Sequence, residues 1–293
     1  MYIINFIRGF CMALADSVPG VSGGTVAFVL GFYDKFIGSL DAVVAGKKEE
    51  KIEGLKFLIK IGIGWIVGMI LSMLFIGSIF ESQIYRISSL FIGFIIFAIP
   101  IIVVEEKDSI YGKYKNIIFA LIGIAVVVGI TYFNPATKGG VDVSINTLSI
   151  GLGAYVFVAG MIAISAMVLP GISGSTLLLI FGLYLPIVGA IKEVLTLNFT
   201  YLPILIIFGL GVLVGIFVTI RGVKFVLTNF RSQTIYTILG LMIGSLYAVV
   251  MGPASLKVPQ PPMSIHTFSI VFFIIGGALI LGLQALKGFF DKK

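Results

Sequence analysis

Long apolar runs alternate with short polar interruptions along the whole chain. Ten runs stand out, at about 2–18, 25–44, 57–79, 87–104, 116–133, 147–168, 176–191, 201–220, 234–251 and 268–286. Crossing a hydrocarbon core takes about 20 apolar residues of helix, and most of the runs approach that length. The interruptions carry the punctuation of wet loops, such as Glu105-Glu106-Lys107-Asp108, Asn134-Pro135 and Pro259-Gln260-Pro261-Pro262. The runs are too long, and too free of strict alternation, for barrel strands. The pattern predicts an all-α integral membrane protein, with residues 1–293 forming one membrane domain.

Composition strengthens this reading. Hydrophobic residues make up 59% of the chain and charged residues 11%, at a mean hydropathy of +1.16; a soluble domain carries about 25% charge. An ordinary water-soluble enzyme is excluded. With one cysteine, Cys11, and one histidine, His266, neither an internal disulfide nor a Cys/His-rich metal centre is expected, and no cofactor or metal is predicted. The basic surplus, 20 Lys+Arg against 13 Asp+Glu, reports orientation instead of a nucleic-acid partner. Arg8, Lys35, Lys47, Lys48, Lys51, Lys56, Lys60, Lys107, Lys113, Lys115, Arg221, Lys224, Arg231, Lys287, Lys292 and Lys293 fall on the side of both termini. Only Arg86, Lys138, Lys192 and Lys257 fall opposite. The positive-inside rule then places both termini in the cytoplasm. Ala13-Leu14-Ala15 resembles a signal-cleavage site, but Arg8 interrupts the apolar stretch, so the N-terminal segment is expected to be retained.

The chain also repeats itself. Pro19-Gly20-Val21-Ser22-Gly23-Gly24-Thr25 returns as Pro170-Gly171-Ile172-Ser173-Gly174-Ser175-Thr176, an offset of 151. At the same offset Gly31-Phe32-Tyr33 answers Gly182-Leu183-Tyr184, and Tyr85 with Ile92-Gly93 answers Tyr236 with Ile243-Gly244. After a slip of four residues, Gly62, Gly64 and Gly68 answer Gly209, Gly211 and Gly215. Repeat 1 covers about 1–133 and repeat 2 about 147–286. Five segments per repeat is an odd number, so the second copy is predicted to enter the membrane upside down, an arrangement common among secondary transporters. The stretch from Val26 to Leu40 is fifteen residues, about 22 Å of helix against a core of about 30 Å. Each repeat is therefore expected to open with a re-entrant helical hairpin tipped by Pro-Gly.

Those tips are the candidate chemistry. Proline and glycine interrupt the helix, and non-helical backbone at membrane depth is tolerated only where it is buried in protein or lines a cavity. The start of the next helix presents N–H donors and a partial positive charge. Ser22, Gly23, Gly24 and Thr25, with Ser173, Gly174, Ser175 and Thr176, form candidate anion sites suited to phosphate. The competing reading is simple capping and close packing. Arg8 and Asp16 are charges within the first hairpin, and an intramembrane charge costs about 3 kcal/mol on insertion scales. Arg8 is a candidate phosphate ligand, or else snorkels to the interface. Asp16 is a candidate for proton or cation coupling. Its counterpart at offset 151 is Met167, so the polar site is asymmetric. The two glycine triplets read as helix-packing faces, and Lys47 to Lys60 as a solvated loop.

The string Asp16-Ser17-Val18-Pro19-Gly20-Val21-Ser22-Gly23-Gly24-Thr25, with Gly31-Phe32-Tyr33 and Pro170-Gly171-Ile172-Ser173-Gly174-Ser175, resembles the family catalogued as domain of unknown function 368, whose members are polyprenyl-phosphate transporters. The resemblance spans essentially the whole chain. It implies a non-enzymatic transporter in the plasma membrane that flips undecaprenyl phosphate, the C55 lipid carrier of cell-wall synthesis, from the outer to the inner leaflet for reuse. It brings Ser17 into the candidate site beside Ser22. The Pro-Gly-x-Ser element is also similar to one in undecaprenyl-pyrophosphate phosphatases, where arginine follows the serine; here Gly23 and Gly174 stand in that place. A membrane phosphatase and a carrier of small anions are the alternatives.

Overall fold

The computed structural model describes residues 2–16, 22–72, 83–132, 149–174, 177–178, 181–195, 197–255 and 260–291. Regular structure among the described residues is helical. The main helices are α1 (Tyr2–Asp16), α2 (Gly23–Val29), α3 (Tyr33–Ala45), α4 (Lys48–Leu71), α5 (Ile84–Glu105), α6 (Ile117–Tyr132), α7 (Ile150–Val168), α8 (Tyr184–Leu195), α9 (Leu202–Asn229), α10 (Arg231–Met251) and α11 (Ile270–Asp291). Among the described residues, six stretches are long and apolar enough to span a membrane: Lys48–Leu71, Ile84–Glu105, Tyr114–Tyr132, Ile150–Val168, Phe199–Asn229 and Arg231–Ala254. Large apolar side chains such as Ile59, Ile63, Ile66 and Ile70 on α4, and Leu210, Leu213 and Phe217 on α9, are exposed, as suits helices whose solvent is lipid. The protein is a multi-pass α-helical membrane protein.

Two segments differ from the sequence reading. The run 25–44 is split into α2 and α3 by Gly31, whose φ of +67° lets α2 end in a left-handed turn. There the Phe32 N–H reaches back to the Ala27 carbonyl, the backbone signature of a Schellman cap. The second half repeats the turn at Gly182 (φ +65°), with the Leu183 N–H on the Leu178 carbonyl. The stretch Lys47 to Lys60 is also not a loop, because residues 48–60 belong to α4. The Glu50 carboxylate accepts the Lys47 N–H at 2.8 Å, and two acids in the first turn suit the positive helix terminus.

Four parallel helix pairs build the body. In the first half α1 lies along α4, and in the second α7 lies along α9. The crossings match. Gly64 faces the Phe6 carbonyl and Gly68 faces Phe10, while Gly211 faces the Phe157 carbonyl and Gly215 faces Met161. No side chain fits at these points, since a Cβ on Gly64 or Gly211 would overlap the facing backbone. Gly62 and Gly209, expected on the same packing faces, have nothing within 4 Å of a built Cβ. Two residues amount to about 200° of helical turn, which points them away from the crossing.

The other two pairs join the halves. α5 packs on α11 and α6 on α10, with Gly93 against Phe273 and Gly244 against Ile124. Tyr85 donates to the Pro261 carbonyl ahead of α11, and Tyr236 donates to the Ile110 carbonyl ahead of α6. Each half therefore supplies a partner helix to the other, and the largest hydrophobic cluster among the described residues draws on both.

Candidate functional site

The start of α2, just after the first Pro-Gly pair, meets the second Pro-Gly turn; Pro19, Gly20 and Val21 lie outside the described residues. α1 and α2 run antiparallel, with Asp16 beside Gly23 at one end and Arg8 beside Phe32 at the other. The start of α2 then abuts the end of α7. Ser22 caps α2, its Oγ accepting the Gly24 N–H at 3.1 Å. The same hydroxyl lies 3.3 Å and 3.2 Å from the carbonyls of Met167 and Leu169, to which it donates. Thr25 Oγ1 accepts the Gly171 N–H at 2.7 Å, and Tyr33 donates to the Val168 carbonyl at 3.2 Å. The last carbonyls of a helix lack intrahelical donors, and here hydroxyls from the first half supply them. Gly24 allows the approach, because a Cβ there would lie 2.7 Å from the Val168 carbonyl oxygen. Ser22, Thr25 and Ser173 are all buried.

Asp16, at the end of α1, binds the start of α2. Its Oδ1 accepts the Gly23 N–H at 2.7 Å and its Oδ2 accepts the indole N–H of Trp65 at 2.9 Å. Both carboxyl oxygens are thus engaged, one by a backbone N–H and one by an indole N–H, which fixes the side chain between α1, α2 and α4. Around Gly174 in the second half, a Cβ would meet the Ala163 carbonyl and the Met167 Cβ. Met167 thus stands toward Gly174 as Asp16 stands toward Gly23. At matching positions Asn5, Arg8 and Trp65 are answered by Val156, Ala159 and Val212, so these three polar residues have apolar counterparts.

Of the sequence candidates, the structure brings Asp16, Ser22, Gly23, Gly24, Thr25, Ser173 and Gly174 into the region where the end of α1 and the start of α2 meet residues 167–174. Arg8 is not among them. It lies about 12 Å back along α1 from Asp16, where Nη1 donates to Asn5 Oδ1 at 3.2 Å and the guanidinium stacks 4.8 Å from the Phe32 ring centre. Ser17, Ser175 and Thr176 lie outside the described residues. In this state the Ser22 hydroxyl, the N–H groups of Gly23 and Gly24, and the Gly171 N–H are engaged within the protein.

Sequence reasoning missed Trp65, Asn5, Tyr33 and Arg231. Trp65 had a signal, being the chain's single tryptophan, but its partner lies 49 residues away on another helix. A cleft opens at the far end of α2, walled by Phe28, Tyr33 and Ile102, with Asp34, Glu105, Glu106 and Arg231 lining its polar part.

A curated polyprenyl-phosphate transporter of Staphylococcus aureus (strain NCTC 8325 / PS 47) is 37% identical over 278 residues, 93% of each chain. A second, from Vibrio cholerae serotype O1 (strain ATCC 39315 / El Tor Inaba N16961), is 31% identical over 262 residues, covering 84% of this chain and 76% of the relative. No solved structure matches. The sequence pattern of undecaprenyl phosphate translocase-like proteins matches residues 12–267, taking in both Pro-Gly turns, Asp16 and Trp65, and the chain belongs to that family.

Proposed function

We propose that this protein carries undecaprenyl phosphate from the outer to the inner leaflet of the plasma membrane for reuse in envelope synthesis, holding the phosphate where the start of α2 meets the second Pro-Gly turn. The observation that carries this reading is the cross-contact of Ser22 and Thr25 with residues 167–171. A lipid phosphate needs only its headgroup shielded while its tail stays in lipid. A site at the seam between two halves suits that task, because parting the seam toward one leaflet or the other exposes the same donors alternately. When α2 and residues 167–171 part, the hydroxyls of Ser22 and Thr25 and the Gly171 N–H lose their partners across the seam and become donors for phosphate oxygens, with Ser173 and the N–H groups of Gly23, Gly24 and Gly174 beside them. Ser17, Ser175 and Thr176 belong to the same proposed site, and Arg8 serves the headgroup on its way along α1.

The matched crossings of α1 on α4 and α7 on α9, and the exchange of partners by α5, α6, α10 and α11, support two repeats of one design. We read them as inverted, with re-entrant hairpins and both termini cytoplasmic. Inward movement of an anion against an inside-negative potential costs about 2.3 kcal/mol per charge per 100 mV. Asp16, as a proton or cation carrier beside the site, offsets that cost. The test is flipping of undecaprenyl phosphate in proteoliposomes by the wild type and by Ser22→Ala and Ser173→Ala. Slower flipping in both variants is expected, and equal rates would remove the proposed phosphate site.

A further inference from the structure

Arg231, the first residue of α10, reaches three ways. Its Nε and Nη2 form a fork on the Glu106 carboxylate, the Nε bond at 3.0 Å, while Nη1 donates to Asp34 Oδ2 at 2.9 Å. Asp34 lies in the first turn of α3, and Glu106 follows the end of α5. One side chain therefore ties three elements together, α3 of the first half to α10 of the second, with the end of α5 between them. A second ion pair, Lys224 to Asp41 at 2.6 Å, fastens the same α3 to α9. Asp34 and Asp41 are seven residues apart and so share one face of α3.

The position of this triad gives it a purpose. The cleft it lines runs past Tyr33 to Phe28 of α2, the helix whose other end carries Ser22 and Gly23. It is not a resting place for phosphate, because Asp34, Glu105 and Glu106 outnumber the one guanidinium there. Nor does the other half repeat it, since offset 151 sets Leu185 against Asp34 and Phe80 against Arg231. Forked arginine–carboxylate pairs are geometrically specific, and exposed enough to exchange: the Arg231 side chain is 41% accessible and that of Asp34 54%. These are the properties of a fastening that breaks and re-forms.

We propose that the Arg231–Glu106–Asp34 triad is a latch closing one end of the substrate path, and that the protein opens toward this face by breaking it. The inference rests on the transport reading above. Arginine drawn off the carboxylates frees α3, and with it α2, to move away from α10, widening the cleft that leads along α2 toward Ser22. The opposite face must close by other means, because Leu185 and Phe80 stand where the triad has Asp34 and Arg231.

The experiment uses full-length protein with Cys11→Ala as the background, so that introduced thiols are the only ones. With Ile102→Cys in the cleft wall, labelling by a membrane-impermeant maleimide in phosphatidylglycerol nanodiscs should quicken about threefold or more when Arg231→Glu is added, the factor expected from loss of an exposed ion pair. The exchange Arg231→Glu with Glu106→Arg should slow it again. Unchanged labelling in Arg231→Glu would overturn the latch. In a second arm, Asp34→Cys and Arg231→Cys are joined by a short reducible dithiol cross-linker in proteoliposomes. Flipping of undecaprenyl phosphate should stop and return on reduction; undiminished flipping of the cross-linked protein would also overturn the latch. Should the Cys11→Ala background itself fail to flip the lipid, the transport reading falls, and the labelling arm still decides whether the triad closes the cleft.

Discussion

The hydroxyl of Thr25 accepts the backbone N–H of Gly171 at 2.7 Å, joining the helix that follows one Pro-Gly turn to the glycine of the other across 146 residues of sequence. Gly171 has a φ of +87°, a conformation other residues rarely adopt, and a Cβ there would strike Leu241. Its N–H is held at a fixed point, and Thr25 is buried at 1% accessibility. Thr25→Val keeps the shape and removes the acceptor, leaving a buried N–H unpaired at a cost of about 1–3 kcal/mol. A lower Tm in detergent is expected, with Thr25→Ser recovering most of the loss. Equal melting of wild type and Thr25→Val would show that the contact does not hold the turns together.

The crossing glycines make an internally controlled prediction. Gly64 meets the Phe6 backbone, whereas Gly62, two residues earlier on the same helix, meets nothing within 4 Å. Gly64→Ala forces α1 and α4 apart and should destabilise by about 1–3 kcal/mol. Gly62→Ala should be neutral or stabilising by up to about 1 kcal/mol, through helix propensity. The second half offers the same contrast between Gly211 and Gly209. Melting temperatures of the four alanine variants check it, and equal losses at Gly62 and Gly64 would contradict the crossing geometry.

Those glycines also show what the sequence could and could not reveal. Hydropathy located the spans because lipid imposes length and apolarity on every crossing helix. The repeated motifs, at offsets of 151 and then 147, set Gly64 against Gly211, and both glycines meet a facing backbone. Offset alone carries no information about which copy packs on which, so the partnering of α5 with α11 and α6 with α10 was illegible. Glycine spacing marked a packing helix without fixing its phase, and Gly62 was grouped with Gly64 for that reason. The charged start of α4 read as loop because its helix runs beyond the apolar stretch that hydropathy detects. Asp16 was visible as a charge out of place, but its engagement by Trp65 and Gly23 depends on a helix hairpin and a neighbour that only tertiary structure brings together.

Trp65 supplies a spectroscopic reading of that engagement. It is the only tryptophan in the chain, and its indole N–H donates to Asp16 at 2.9 Å. Intrinsic emission at tryptophan-selective excitation therefore reports on one contact beside the candidate site. Asp16→Ala should change both emission maximum and quenching by aqueous acrylamide, because the indole N–H loses its partner. Undecaprenyl phosphate added to the wild type in detergent should also shift the emission if parting of the turns disturbs Asp16. A spectrum identical in wild type and Asp16→Ala would show that the contact is absent in solution.

The charge on Asp16 makes a separate prediction. Asn at this position keeps the size and one oxygen acceptor, so either the Gly23 N–H or the Trp65 N–H remains bonded and the fold should persist. Asn cannot gain or lose a proton. If Asp16 carries the compensating charge, Asp16→Asn proteoliposomes should flip undecaprenyl phosphate with little response to an imposed pH gradient, while the wild type responds. A membrane potential of 100 mV, inside negative, should then slow the variant more than the wild type, since an uncompensated phosphate charge meets a barrier of about 2.3 kcal/mol. The other charged residue of α1, Arg8, lies about two turns of helix away and on Asn5, so it does not substitute for the lost carboxylate. Flipping by Asp16→Asn with the same pH dependence as the wild type would remove Asp16 from coupling and leave it a structural clasp between α1, α2 and α4.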